Sequence, residues 1–262
     1  MNYSQILITG GAGFIGCNTA SYYLQQGKYV TIVDNFSREG SKLNLQWLQN
    51  QRYKKLTVIE SDVRQLSPKA IKAIQTADLI IHLAGQVAVT TSVQNPKEDF
   101  EINASGTLNV LEAARASKKN PTFIYSSTNK VYGELLLESV KEEKNRYVFV
   151  KSTQGISEKY PIDFHSPYGC SKGSADQYVR DYARIYGMNT IVFRQSCIYG
   201  PHQFGMEDQG WIAWFLIALL QKKPITIYGN GKQVRDVLYI DDLVRAYDFA
   251  SEHIEKTRGK IY

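Results

Sequence analysis

The loop Gly10-Gly11-Ala12-Gly13-Phe14-Ile15-Gly16 joins an apolar run at residues 6–9 to a helical pattern at residues 14–26. That junction constrains the fold more than any other stretch of the chain. Gly10 allows a tight turn, Gly13 lets a ligand approach the backbone, and Gly16 lets helix and strand pack closely. The helix that opens there presents free N–H groups and the positive end of its dipole, so the fitting ligand is a pyrophosphate. Asp34 ends the second apolar run, 18 residues after Gly16. A carboxylate at that point accepts from adenosine ribose hydroxyls and repels a 2′-phosphate, which favours NAD over NADP. Arg38 is the nearby cation that argues the other way.

Beyond the loop, short apolar runs at 6–9, 30–34, 56–60, 79–83, 122–126 and 190–194 alternate with helical patterns at 14–26, 68–77, 100–117 and 171–186. Strands of that kind, each followed by a helix, predict an α/β fold of the Rossmann type: a doubly wound parallel sheet covered on both faces. Residues 1–186 form the nucleotide-binding domain in this reading, and the run near 190–195 returns to it. Residues 196–262 form a smaller C-terminal substrate-binding lobe, with a helix at 211–221, a strand at 225–228 and a helix at 241–253. No linker rich in Pro, Gly or Ser separates the two, so they are expected to pack together. Gly259-Lys260-Ile261-Tyr262 reads as the opening of another strand, and the lobe is expected to be truncated.

Ligands of such sheets bind beyond the carboxyl ends of the strands. Asp62-Val63 ends the third run, where an acid meets either an adenine amino group or a helix N-terminus. Leu83-Ala84-Gly85 ends the fourth, with small residues against which a cofactor can lie.

The remaining bulk properties exclude more than they assign. The formal charge of +6 is scattered, without the basic-aromatic interleaving of a nucleic-acid surface. Cys17, Cys170 and Cys197 are far apart and lack metal-ligand spacing, so no metal and a reducing compartment are expected. No leader pattern opens the chain. The apolar stretch 211–220 is too short to cross a bilayer and reads as a packed helix. A soluble, cytoplasmic protein with no membrane partner follows as the expectation.

Tyr168-Gly169-Cys170-Ser171-Lys172 places a phenol and an amine one helical turn apart on one face. A phenol is too weak a base at neutral pH, and a nearby ammonium favours the phenolate. The pair can then take a hydroxyl proton while a nicotinamide takes the hydride. Alone, the spacing is equally that of a surface tyrosine beside a solvated lysine. Ser126-Ser127-Thr128, ending the fifth run at the same sheet edge as the glycine loop, adds a hydroxyl to hold the reacting oxygen.

With these residues in view, the chain resembles the extended short-chain dehydrogenases/reductases, the group of nucleotide-sugar epimerases and dehydratases. The likeness rests on residues 9–16, His82-Leu83-Ala84-Gly85, Ser126-Ser127-Thr128 with Val131-Tyr132-Gly133, Tyr168 with Lys172, and Tyr199-Gly200-Pro201. Residues 82–92, 124–133, 163–172, 208–211 and 229–238 resemble more closely the branch that epimerises CDP-sugars at C2. That resemblance implies catalysis by Thr128, Tyr168 and Lys172, with Lys172 lowering the Tyr168 pKa and holding the nicotinamide ribose. It implies an NAD site formed by Gly10, Gly13, Phe14, Ile15, Gly16, Asp34, Asn35, Ser37, Arg38, Asp62, Val63, Leu83, Ala84, Gly85, Gln86, Asn103, Ser126, Tyr168 and Lys172.

The same resemblance implies substrate contacts from Gln86, Thr90, Thr128, His165, Ser196, Gln203 and Arg235, the last gripping the pyrophosphate. Trp211 and Trp214 read as core. A homodimer, or a dimer of dimers, is implied through the helices at 100–117 and 171–186. Dehydratases of the group carry Asp-Glu after the active-site Thr; here Asn129 and Lys130 stand there, which disfavours dehydration. Two alternatives stay open: an epimerase of the UDP-hexose C4 type, and a non-catalytic NAD-binding protein.

Overall fold

The computed structural model describes residues 3–262. Six parallel strands form its centre: β1 (Gln5–Thr9), β2 (Tyr29–Asp34), β3 (Leu56–Glu60), β4 (Leu79–His82), β5 (Thr122–Thr128) and, after the short antiparallel hairpin of β6 (Val140–Glu142) and β7 (Tyr147–Phe149), β8 (Asn189–Gln195). Their order is β3-β2-β1-β4-β5-β8. The switch between β1 and β4 opens a crevice at the carboxyl ends, above the glycine loop.

The period of two in the strands divides the core. Ile6 and Ile8 of β1 point to one face with Ile32, Ile124 and Ile191, while Leu7 points to the other with Val33, Ile80 and Phe123. Burying each such side chain contributes roughly 1.5–3 kcal/mol. Helices α1 (Phe14–Gln25) and α2 (Ser41–Asn50) cover the first face; α3 (Pro68–Thr76) lies on the second.

Next come α4 (Val89–Gln94) and α5 (Pro96–Phe100), then a π turn, Glu101–Ser105, that runs into α6 (Gly106–Arg115). The expected single helix at 100–117 is thus broken by the π turn. Helix α7 (Ser166–Tyr186) starts five residues before the expected point, on Pro167 in its first turn, and so contains both Tyr168 and Lys172. It joins α3 and α6 on the second face.

The remainder holds β9 (Cys197–Tyr199), α8 (Trp211–Leu220), β10 (Val237–Tyr239), α9 (Ile240–Glu252) and α10 (Ile254–Thr257). β9 and β10 pair in parallel. Ile240, Val244 and Tyr247 of α9 belong to the same buried cluster as β1 and α1. Residues 260–262 bond the free edge of β8: Val192 N–H donates to Lys260 O (3.1 Å), and Tyr262 N–H donates to Val192 O (2.9 Å).

Two expectations fail here. Residues 225–228 form no strand: no edge pairs with them among the described residues, and Ile227 and Tyr228 are exposed. Helix α8 is packed on one side only: Ile212, Ala213, Trp214, Phe215 and Ile217 are half-buried and Ala218 is buried, while Leu216, Leu219 and Leu220 face outward. Apolarity there marks a face without a neighbour, not a core. Among the described residues no helix is long and apolar enough to cross a membrane, and no cluster of residues could hold a metal ion.

Candidate active site

The glycine loop closes as its spacing demands. Gly10 has φ +67°, and a Cβ on it would lie 2.7 Å from the Ala84 amide nitrogen. A Cβ on Gly16 would lie 2.2 Å from Gly10 O, so helix and turn meet only without one. At Gly13 a Cβ would meet only Gly10 O, at 3.2 Å, so this face is an open cradle. Gly13 precedes α1 without a side-chain cap, which leaves the first N–H groups of the helix turned toward that cradle. These residues fit a dinucleotide pyrophosphate.

The Asp34 carboxylate accepts from Ala12 N–H (3.0 Å) and Phe36 N–H (2.8 Å). Burial pushes its pKa up, and those N–H groups oppose the rise. Asn35 donates to Asp62 (2.8 Å) and accepts from the Ser37 hydroxyl (2.8 Å). Asp62 is held by Arg64 at 2.8 Å, which lowers its pKa to about 2. It caps no helix, because Ser67 caps α3. Val63 packs into the second-face cluster.

Beyond β4, the Gln86 side chain is spent on its own loop, donating to Ala88 O (2.8 Å). Its backbone N–H donates to Asn103 Oδ1 (2.9 Å). His82 explains why Asn103 is fixed. Its Nδ1 meets Thr9 Oγ1 (2.6 Å) and its Nε2 meets Thr107 Oγ1 (3.0 Å). The Thr107 proton goes to Asn103 O (2.6 Å), so Nε2 carries the ring hydrogen. Burial lowers the His82 pKa to about 3, leaving a neutral strut between β1, β4 and the π turn.

Thr128, Tyr168 and Lys172 come together, each under a tenth exposed. Thr128 and Tyr168 line one cavity of about 240 Å³ with Phe14, Ile15, Ser126, Ser196 and Gln203. Lys172 lies behind it. Its ammonium donates to Ser126 O at 2.5 Å and sits 4.3 Å from the centre of the Tyr125 ring. Burial lowers the Lys172 pKa to about 7, against the pull of Asp176 and Asp99.

The expected lowering of Tyr168 by Lys172 is not what the structure shows. Burial raises the phenol above its ordinary value; the Thr128 hydroxyl and the Arg38 charge pull it down, while Asp99 pushes it up. Lys172 aims at the Ser126 carbonyl instead.

The expected substrate contacts divide. Thr128, Ser196 and Gln203 line the cavity. Gln203 donates to Ile198 O (3.1 Å), while its Oε1 is buried and unpaired among the described residues, an acceptor facing no donor. Thr90 instead donates to Asp208 (2.5 Å), and Arg38 donates to Gln209 (2.5 Å), tying the segment before α8 to the loops after β4 and β2. His165 is exposed, 3.7 Å from Glu134. Arg235 is exposed and donates to Val234 O, on a stretch without secondary structure outside the cavity.

Trp211, expected as core, lines the cavity and is 40% exposed. Trp214 is half-buried, with Lys223 5.9 Å from its ring centre. Asp176, Arg194 and Asp99 carried no sequence motif, although Asp176 follows Lys172 by one helical turn and so shares its face.

The NAD dependent epimerase/dehydratase family profile matches residues 6–262. A CDP-paratose 2-epimerase of Salmonella typhi is 48% identical over 264 aligned residues, covering 98% of this chain and 78% of that protein. The solved structure of Pal from Bacillus thuringiensis matches with TM-score 0.79 and 31% identity, over 98% of this chain and 76% of that one. The Thermus thermophilus UDP-glucose 4-epimerase in complex with NAD matches with TM-score 0.74 and 29% identity, over 94% and 73%.

Proposed function

The chain belongs to the NAD dependent epimerase/dehydratase family, and on that premise we propose that it inverts C2 of a CDP-sugar, converting CDP-paratose to CDP-tyvelose. One observation carries the reading: Thr128 and Tyr168 share a cavity in front of Lys172, in a chain 48% identical to a CDP-paratose 2-epimerase. A UDP-hexose epimerase is the weaker reading, since the UDP-glucose 4-epimerases this chain resembles are 29–32% identical.

Bound NAD supplies reversible hydride acceptance, so that oxidation at C2 and reduction from the other face leave no net redox change. The protein groups do the rest. Thr128 Oγ1 holds the reacting oxygen, and Tyr168 removes the C2 hydroxyl proton and later returns it. Lys172 would hold the nicotinamide ribose from its place on Ser126 O, while the Thr128 hydroxyl and the Arg38 charge favour the phenolate. Gln203 Oε1 accepts from a sugar hydroxyl, and Ser196 lines the same cavity. Residues 196–198, Gln203 and residues 209–212, which line the cavity, form the substrate-side wall. Asn129 and Lys130 are exposed on the turn after β5 and provide no acid-base pair for eliminating water.

Incubation with CDP-paratose in deuterated water tests this directly. CDP-tyvelose without deuterium at C2 is expected; solvent deuterium at C2 would mean proton abstraction from carbon and would end the redox reading. At the cofactor, Asp34 discriminates against a 2′-phosphate. Asp34→Ala is expected to weaken NAD binding about tenfold or more and to narrow the preference over NADP, read from titrations of both. NAD binding unchanged by this substitution would remove Asp34 from the site.

Phe100, Tyr178, Ile185 and Tyr186 are exposed apolar side chains on α5 and α7. They support a homodimer through the α5–α6 segment and α7, and a monomer by light scattering at micromolar concentration would contradict it. The three free cysteines support a reducing, cytoplasmic setting.

A further inference from the structure

Asp99 is 1% exposed, at the junction of α5 and the π turn. Both of its hydrogen bonds come from neutral donors: Ser171 Oγ on α7, and Asn103 Nδ2 at 3.1 Å. Burial pushes the Asp99 pKa up, while the Ser171 hydrogen bond and the Lys172 charge pull it down; two donors and no acceptor partner favour the carboxylate over the acid. Asn103 Nδ2 also donates to Ser171 Oγ (3.0 Å), so the three side chains form a closed triangle. That triangle borders Lys172. Ser171 is its chain neighbour, and the point where a Gly85 Cβ would stand is 2.9 Å from Asn103 Oδ1 and 3.8 Å from Lys172 Nζ.

A second carboxylate, Asp176, stands one turn after Lys172 on α7 and its charge also acts on Lys172, but that charge is shared. Arg194 grips both its oxygens, each at 2.9 Å. Among the described residues no Lys, Arg or His forms an ion pair with Asp99. The other titratable groups around Lys172 are Tyr125 on β5, His82 on β4, which is neutral, and Tyr168 on α7 with Arg38 acting on it.

We propose that Asp99 is a positioning residue for this reaction: its uncompensated carboxylate, clamped by Ser171 and Asn103, keeps the buried Lys172 side chain an ammonium. The inference rests on the role given above to Lys172. The physical need is plain, because burial disfavours a charged amine and the Asp176 charge is already engaged. The clamp adds a second service: it pins the π turn to α7, so the charge stays at a fixed distance from Lys172.

The test is a titration of the protein without substrate, labelled with 13C in its lysine and aspartate side chains and followed by NMR. Asp99→Asn is expected to weaken proton binding at Lys172 about tenfold. Coupling is reciprocal, so Lys172→Met is expected to make Asp99 bind its proton about tenfold more tightly. A folded Asp99→Asn variant whose Lys172 titrates within about twofold of the parent overturns the proposal. If that variant does not fold, the Lys172→Met arm decides, and an unmoved Asp99 overturns it equally. Neither arm uses a nucleotide sugar, so failure of the epimerase reading and failure of this one are separately visible.

Discussion

Tyr168→Phe is expected to lower the turnover of CDP-paratose by about 10²- to 10⁴-fold while NAD stays bound. The substitution removes one oxygen and keeps the ring, which is 8% exposed on the first turns of α7 and packs as before. No neighbour can take over the proton. The Lys172 ammonium is directed at Ser126 O, the Thr128 hydroxyl is far too weak a base, and His82 is locked as a neutral strut. The expected pyrophosphate and adenosine-ribose contacts, at Gly13 and Asp34, do not involve the Tyr168 hydroxyl and are untouched. Turnover is read by separating CDP-tyvelose from CDP-paratose, and NAD retention by its absorbance after desalting. Residual activity above a tenth of the parent's would show that another group takes the proton, and loss of NAD would show that the hydroxyl matters for binding instead.

The residues that made the fold legible act locally. Gly10 and Gly16 are forced by backbone contacts within a few residues or across one strand, so their spacing could be read directly. The six sheet strands were legible because each is apolar on both faces, as a covered parallel sheet requires. The same rule misled at residues 225–228 and in α8. There an apolar run exists without a neighbour, and whether a run is covered depends on distant chain. The meeting of Thr128, Tyr168 and Lys172 was legible because Tyr168 and Lys172 share a helix face and Thr128 ends a strand beside them. Asp99 was not. It is separated from Lys172 by 73 positions and reaches it only because the π turn and α7 pack together. Arg235 rests on likeness of sequence alone, and in the structure it lies outside the cavity, exposed on irregular chain. The direction of the Tyr168 shift is not legible for a related reason: spacing gives the distance to Lys172, but only packing gives the burial that raises the phenol.

Packing also sets the largest stability effect. Arg194 on β8 and Asp176 on α7 have side chains 3% and 0% exposed and pair in the two-bonded geometry that planar guanidinium favours. Ser127 donates to the same carboxylate (2.7 Å), and Arg194 also donates to Tyr132 OH (3.0 Å), so strand, helix and the turn after Thr128 share one polar knot. Arg194→Met would strand the Asp176 charge where water cannot reach it. The expected cost is about 3–5 kcal/mol, set against the roughly 5–15 kcal/mol that hold a folded protein together. Thermal unfolding should then fall by about 10 °C. Asp176→Leu combined with Arg194→Met removes both charges and should recover most of that loss, because the penalty lies in the unpaired ion and not in the missing pair. A single variant within about 1 kcal/mol of the parent in urea unfolding would show that water or another cation reaches Asp176. A double variant no more stable than the single would show instead that Ser127 and Tyr132 need the pair to hold their positions. In that case the knot beneath Thr128 would be serving the geometry of the site rather than only the stability of the sheet.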